Sequence, residues 1–113
     1  MVGAVVAFGS VDRDIDPRAA EALAAQGALM VDVREAAELE TDGRIEGAVH
    51  IPLGDLSERS GELPAGRPVV LICHSGVRSA LAADALRASG FDAHSVDGGI
   101  VAWQRDGLPV QNT

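Results

Sequence analysis

Lysine is absent from this chain of 113 residues, and nine arginines face seventeen aspartates and glutamates for a formal net charge of -8. A broad footprint on a phosphate backbone is not expected of such a chain, so nucleic acid and anionic membrane surfaces are poor partners. The same negative field repels small anions at a distance, and an anionic substrate has to be captured by a local positive site. Cysteine is almost absent: Cys73 stands alone, which leaves no partner for an internal disulfide. No cysteine or histidine spacing suggests a metal, and the expectation is a protein without metal or cofactor in a reducing cytoplasm. Long apolar runs are missing too. The apolar opening is short, lacks a basic flank and has no clear cleavage site before Asp12-Arg13-Asp14, so residues 1–9 read as an N-terminal tail or edge strand. Repeats and low-complexity segments are not seen. What is present is ordinary for a folded domain, 47% hydrophobic and 23% charged residues, and the length suits a single core over residues 10–113 with no room for a separate cofactor domain.

Asp16-Pro17 supplies an N-cap and a first-turn proline, and the segment to Gln26 carries Ala20, Leu23 and Ala24 on one face before Gly27 stops it, which predicts a first helix. Ala28 to Val31 reads as a buried strand ending at Asp32-Val33-Arg34, followed by a short acidic helical stretch around Glu35 to Glu40. Ala48 to Ile51 is a brief strand stopped by Pro52; Leu53 to Glu58 makes a turn or two of helix, and Leu63 to Pro68 is turn material. Val69 to Ile72 is the most strand-like run in the chain. From Val77 to Ser89 the apolar positions 77, 81, 85 and 88 keep helical spacing, and Gly90 is a natural stop. A strand near Ala93 to Val96, a Gly98-Gly99 turn and a last helix carrying Trp103 complete the order. Strands alternating with helices over short connections predict an α/β fold, a mainly parallel central sheet with helices on both faces.

Ligands of such sheets bind at the carboxyl ends of the strands, where Asp32, Arg34 and Cys73 all fall. Backbone N–H groups and the positive end of the helix dipole gather there and favour anions. A model thiol titrates near pH ~8.5, and such a setting lowers it to roughly 3.5–7.5, so Cys73 is the candidate nucleophile.

Taken together, Asp32-Val33-Arg34-Glu35, Gly47-Ala48-Val49-His50-Ile51-Pro52, Cys73-His74-Ser75-Gly76-Val77-Arg78-Ser79 and Gly98-Gly99-Ile100-Val101-Ala102-Trp103 resemble, in order and spacing, the rhodanese family of sulfurtransferases. The resemblance runs from about Asp16 to Pro109. It implies a single-domain rhodanese-like fold with a Cys73 persulfide as intermediate. His74, Ser75, Gly76, Val77, Arg78 and Ser79 would form the anion-binding active-site loop, with Asp32 and Arg34 supporting it. Cys73 to Arg78 is Cys-x4-Arg, one residue shorter than the Cys-x5-Arg of related phosphatases and arsenate reductases, whose wider cradle suits a tetrahedral oxyanion. A tighter ring of N–H groups suits a terminal sulfur anion. The implied reaction moves sulfane sulfur from a donor such as thiosulfate to an acceptor. With no second cysteine in the chain, the acceptor comes from outside: cyanide, a small thiol or a partner protein's thiol. The alternative is a low-turnover rhodanese-type sulfur carrier or partner-binding module; phosphatase or arsenate reductase chemistry is disfavoured by the loop length.

The chain also departs from the family pattern. His74 stands where arginine is frequent, replacing a permanent rim charge by one that titrates near neutrality. Arg44-Ile45-Glu46-Gly47 replaces a common Gly-His-Ile-Pro-Gly, and His50 a usual asparagine. Arg78 has two readings, a staple bonding loop carbonyls or Asp32, and a substrate contact. His50 and His94 read as surface or hydrogen-bonded strand residues, Trp103 as a core anchor beneath the loop, and Gly98-Gly99 as turn geometry that brings the last helix close.

Overall fold

A computed structural model describes residues 12–112. The expected tail or edge strand over 1–9 lies outside the described residues. Strands β1 (Asp14–Ile15), β2 (Leu29–Asp32), β3 (Val49–His50), β4 (Val69–Ile72) and β5 (Ala93–Val96) form one sheet in the order β1-β5-β4-β2-β3, with every pairing parallel. Helices α1 (Pro17–Ala25), α2 (Ala36–Asp42), α3 (Leu56–Arg59), α4 (Val77–Ala88) and α5 (Gly99–Arg105) alternate with the strands. Short 3-10 turns at Leu53–Asp55 and Ser60–Glu62 flank α3. The α/β fold expected from the sequence is present, together with a short strand, β1, that the apolar and polar pattern around Asp14 does not announce.

Local signals explain most boundaries. Asp16 takes the extended N-cap conformation and its Oδ1 accepts the Ala19 N–H at 2.8 Å, a bond whose loss to alanine costs about 1 kcal/mol. The β4 run Val69-Val70-Leu71-Ile72 is buried on both faces, as an apolar strand at the centre of a parallel sheet must be. Val69 and Leu71 join Val31, Val33 and Cys73 in one core with Ala82, Ala83 and Leu86 of α4 and Leu56 of α3. Val70 and Ile72 face the other core, with Ala20 of α1 and Ile100 and Trp103 of α5.

Helix α4 falls where expected, with a different face inward. Ser79, Ala82, Ala83 and Leu86 are buried, while Val77, Leu81, Ala85 and Ala88 face solvent. Both sets keep i, i+3, i+4 spacing, so periodicity in an alanine-rich helix does not choose between them. The small residues turn inward and let the helix lie close to β4 and β5.

Candidate active site

Cys73 follows β4 directly, and its neighbours Val33 and Ile72 hold the strand end in register through the Val33 N–H to Ile72 carbonyl bond of 2.9 Å. Beyond it the chain turns at Gly76, whose φ of +102° suits glycine, before entering α4. A β-carbon at Gly76 would lie 3.0 Å from the Gly98 nitrogen, so both backbone and space require glycine. Gly76 has no side chain to cap the helix, and the sulfur of Cys73 takes that part. It accepts the Gly76 N–H at 3.0 Å, the Ser79 N–H at 3.3 Å and the Ser79 hydroxyl at 3.3 Å. Ser79 is the third residue of α4, so its amide is one of the donors that a helix start leaves unbonded within the helix. The sulfur therefore occupies the anion seat of the helix N-terminus.

Burial raises the Cys73 pKa, since its residue is only 1% exposed and a thiolate loses water there. The Ser79 hydroxyl and the amides of Ser79, Gly76 and Ser75 oppose this and prevail, leaving the thiol below its ordinary value. The Ser79 hydroxyl is itself 2.7 Å from the hydroxyl of Ser95, a buried residue of β5. When Ser79 donates to sulfur, Ser95 is left to donate to Ser79.

The loop is fastened from behind by α5. Ile100 N–H bonds the Cys73 carbonyl at 2.8 Å and Val101 N–H bonds the His74 carbonyl at 3.2 Å. With these carbonyls turned toward α5, the loop's amides are left to face the sulfur. Gly99 makes the approach possible: at φ +60°, a β-carbon there would collide with the Cys73 and His74 carbonyls. The glycine pair thus serves the site by close approach, and Trp103 anchors α5 in the core, its indole N–H bonded to the Pro109 carbonyl at 2.9 Å.

Of the two staples anticipated for Arg78, neither forms. Its guanidinium makes two 2.8 Å bonds to the Glu38 carboxylate of α2, and it touches neither Asp32 nor a loop carbonyl through a hydrogen bond. Asp32 is already filled by Arg34, and α2 presents the Glu38 carboxylate to Arg78. The bonds from Arg78 lower the Glu38 pKa from 4.5 to about 2 against the opposing effect of burial.

Asp32 and Arg34 form a buried pair, Nε to Oδ1 at 2.9 Å and Nη2 to Oδ2 at 2.7 Å. They do not reach the loop with their own side chains. Arg34 Nη2 also donates to the Gly43 carbonyl at the end of α2, 2.8 Å away, and His50 Nε2 lies 2.7 Å from the Arg34 carbonyl. The pair therefore fixes α2, and α2 carries Glu38 to Arg78. His74, Ser75 and Val77 are exposed on the rim. His94 is wholly buried away from this site, with Nδ1 2.7 Å from the Asp12 carbonyl and Nε2 2.8 Å from Asp92.

Two residues of the site escape sequence reasoning. Glu38 carries a faint signal, since it stands three residues after Glu35 and accepts the Glu35 N–H at 2.9 Å as helix starts favour. Ser95, one of two polar residues in the buried strand β5, carries none. A cleft of about 550 Å³ against Leu29, Met30 and Trp103 lies at the opposite end of the sheet and has no cysteine, serine, threonine or histidine in its lining. Among the described residues no cluster of histidine, cysteine and carboxylate side chains is arranged to hold a metal ion, and no helix is long and apolar enough to cross a membrane.

Comparison with known proteins agrees with this geometry. The chain is 40% identical over 83 residues to a protein named sulfurtransferase from Allochromatium vinosum, covering 73% of this chain and 77% of that one. It is 36% identical over 91 residues to the thiosulfate sulfurtransferase GlpE of Pseudomonas savastanoi, covering 80% and 85% respectively. The crystal structure of a rhodanese-related protein from Thermoplasma volcanium superposes with a TM-score of 0.80 at 33% identity, over 87% of this chain and 96% of that one. Residues 16–106 match the rhodanese-like domain, and the chain belongs to that family.

Proposed function

We propose that the protein is a rhodanese-type sulfurtransferase that carries sulfane sulfur on Cys73, with thiosulfate as a competent donor. A sulfurtransferase or sulfur-carrier role is what the family and the named relatives support. The observation that carries the finer reading is the sulfur of Cys73 seated as acceptor of three N–H and O–H donors at the start of α4. Such a seat stabilises negative charge on sulfur before and after transfer.

In the first half-reaction the Cys73 thiolate attacks the outer sulfur of thiosulfate. A new S–S bond forms, the bond between the two donor sulfurs breaks, and its electron pair leaves with sulfite. The terminal sulfur of Cys73–S–S⁻ then takes over the loop amides. In the second half-reaction an external nucleophile such as cyanide bonds to that terminal sulfur, the S–S bond to Cys73 breaks, and thiocyanate leaves while the thiolate is restored. Arg78, tied to Glu38, shapes the loop and supplies positive charge beside the anion; Asp32 and Arg34 act through α2. His74 stands on the rim that an anionic donor crosses. The chain's lack of a second cysteine makes an external acceptor a requirement.

Steady-state kinetics with thiosulfate and cyanide test this reading. Parallel double-reciprocal lines are expected for two separated half-reactions, with thiocyanate formation abolished in Cys73→Ser. Intersecting lines, or turnover surviving in Cys73→Ser, would overturn it.

A further inference from the structure

The outer face of α4 is apolar and begins inside the active-site loop. Val77, its first residue, is 67% exposed and follows Gly76, which donates to the Cys73 sulfur. Leu81, one turn on, is 60% exposed, and Ala85 and Ala88 extend the stripe to solvent over roughly 16 Å of helix. Across the loop Val101 of α5 is 47% exposed, and its N–H is the one that bonds the His74 carbonyl. Large apolar side chains thus stand in solvent on both flanks of a nearly buried cysteine, where a small-molecule reaction needs none of them.

The exposed charges on and beside this stripe are carboxylates, with Arg78 and Arg87 of α4 only partly exposed among them. Glu35 before α2, Asp55 on the turn that packs against α4, and Asp84 within the stripe are all exposed carboxylates. The neighbouring arginines are already engaged: Arg78 bonds Glu38, and Arg13 is shared by Asp14 and Asp84. A second copy of the chain would bring the same acidic rim and the same net charge of -8. A partner of opposite character fits.

We propose that the outer face of α4, together with Val101, docks a partner protein that presents its sulfur-accepting cysteine between apolar and basic residues. This rests on the sulfur-transfer reading above and names its acceptor. The partner's apolar residues cover Val77, Leu81 and Val101, its basic residues meet Glu35 and Asp55, and its thiolate reaches the terminal sulfur of the persulfide. That thiolate bonds to the terminal sulfur, the S–S bond to Cys73 breaks, and the partner leaves as a persulfide with Cys73 returned to thiolate.

The test uses a fluorescent synthetic peptide with one cysteine flanked by leucines and arginines, a copy with glutamates in place of the arginines, and serine-for-cysteine versions of both for binding alone. The arginine peptide should bind the wild-type protein by fluorescence anisotropy. Leu81→Gln should weaken it about tenfold, equivalent to about 1.4 kcal/mol, and the glutamate peptide should bind no better than that. Transfer from persulfidated Cys73 to the cysteine peptide, followed by mass, should fall in step, while discharge by cyanide stays unchanged in Leu81→Gln. Equal affinity of wild type and Leu81→Gln, or a glutamate peptide as good as the arginine one, would overturn the proposal. So would a wild-type dimer in sedimentation that Leu81→Gln dissociates. Should thiosulfate fail to load Cys73 while peptide binding still depends on Leu81, the docking surface stands and the sulfur-transfer reading falls. Normal discharge to cyanide with no dependence of peptide binding on Leu81 overturns the docking surface and leaves sulfur transfer standing.

Discussion

Replacing Ser79 by alanine isolates the side-chain contribution to the charge on Cys73. The substitution deletes the hydroxyl 3.3 Å from the sulfur and leaves the amides of Gly76 and Ser79 where they are, the latter still at the third position of α4. Alanine is a better helix former than serine and is smaller, so α4 survives. A hydrogen bond to a charged acceptor contributes about 1.5–3 kcal/mol. Ser79→Ala should therefore raise the Cys73 pKa, since the thiolate loses one of the donors that hold it down. The sign follows from which state is favoured: the hydroxyl bonds to thiolate, its loss leaves burial less opposed, and the thiolate forms only at higher pH. Because the folded thiol lies below its ordinary value, the thiolate of wild type persists as pH falls past that value and is lost only below it. The pH dependence of iodoacetamide alkylation reads the midpoint directly. Ser95→Ala, which removes the 2.7 Å partner of Ser79 and nothing else near sulfur, should raise it by less. An unchanged midpoint in Ser79→Ala would show that the amides alone hold the thiolate and that the hydroxyl chain is incidental.

Glu38→Gln removes the carboxylate that occupies Arg78; the thiosulfate KM should fall by about fivefold, the equivalent of ~1 kcal/mol for a partly exposed pair, whereas an unchanged KM would place Arg78 outside the donor's path. The same substitution should flatten the acid limb of stability: the Glu38 carboxylate has its pKa lowered from 4.5 to about 2, so its contribution is full above the ordinary value and lost as pH falls toward the lowered one, and urea melts across that window should show it. Asp32→Ala leaves the Arg34 guanidinium, 0% exposed, without its counter-ion, which should cost about 3–5 kcal/mol in urea unfolding; a loss below about 1 kcal/mol would mean water reaches the pair. Gly99→Ala pushes a β-carbon into the Cys73 and His74 carbonyls, while Gly107→Ala, also at positive φ, meets open space. Each should lose roughly 1–2 kcal/mol of stability for the left-handed backbone, and Gly99→Ala should lose more than Gly107→Ala because of the collision and alone should lose sulfurtransferase activity by tenfold or more.

Much of the fold was legible because its signals are local. Asp16-Pro17 marked the start of α1, the Val69–Ile72 run marked the central strand, and short connections between them implied parallel pairing. The position of Cys73 at a strand end before a helix followed from the same pattern, whereas the loop over His74 to Ser79 was implied by the family resemblance, and its last three residues, Val77 to Ser79, form the first turn of α4. What stayed hidden depends on tertiary placement. The two-residue strand β1 has too short a run to show alternation and exists because Asp14 and Ile15 pair with Ser95 and Val96. The inward face of α4 could not be chosen from spacing when two stripes share it. Arg78 pairs with Glu38 across 40 positions of sequence, a meeting arranged by Asp32, Arg34 and Gly43 rather than by any local motif. Ser95 meets the Ser79 hydroxyl only because β5 lies beside β4.

The central claim is that Cys73 carries the transferred sulfur, and intact mass of the reduced protein after thiosulfate treatment tests it most directly. The account predicts a gain of one sulfur atom in wild type, removed by cyanide with stoichiometric thiocyanate, and no gain in Cys73→Ser. A wild-type protein that stays at its reduced mass, or a Cys73→Ser protein that gains the sulfur, would contradict it.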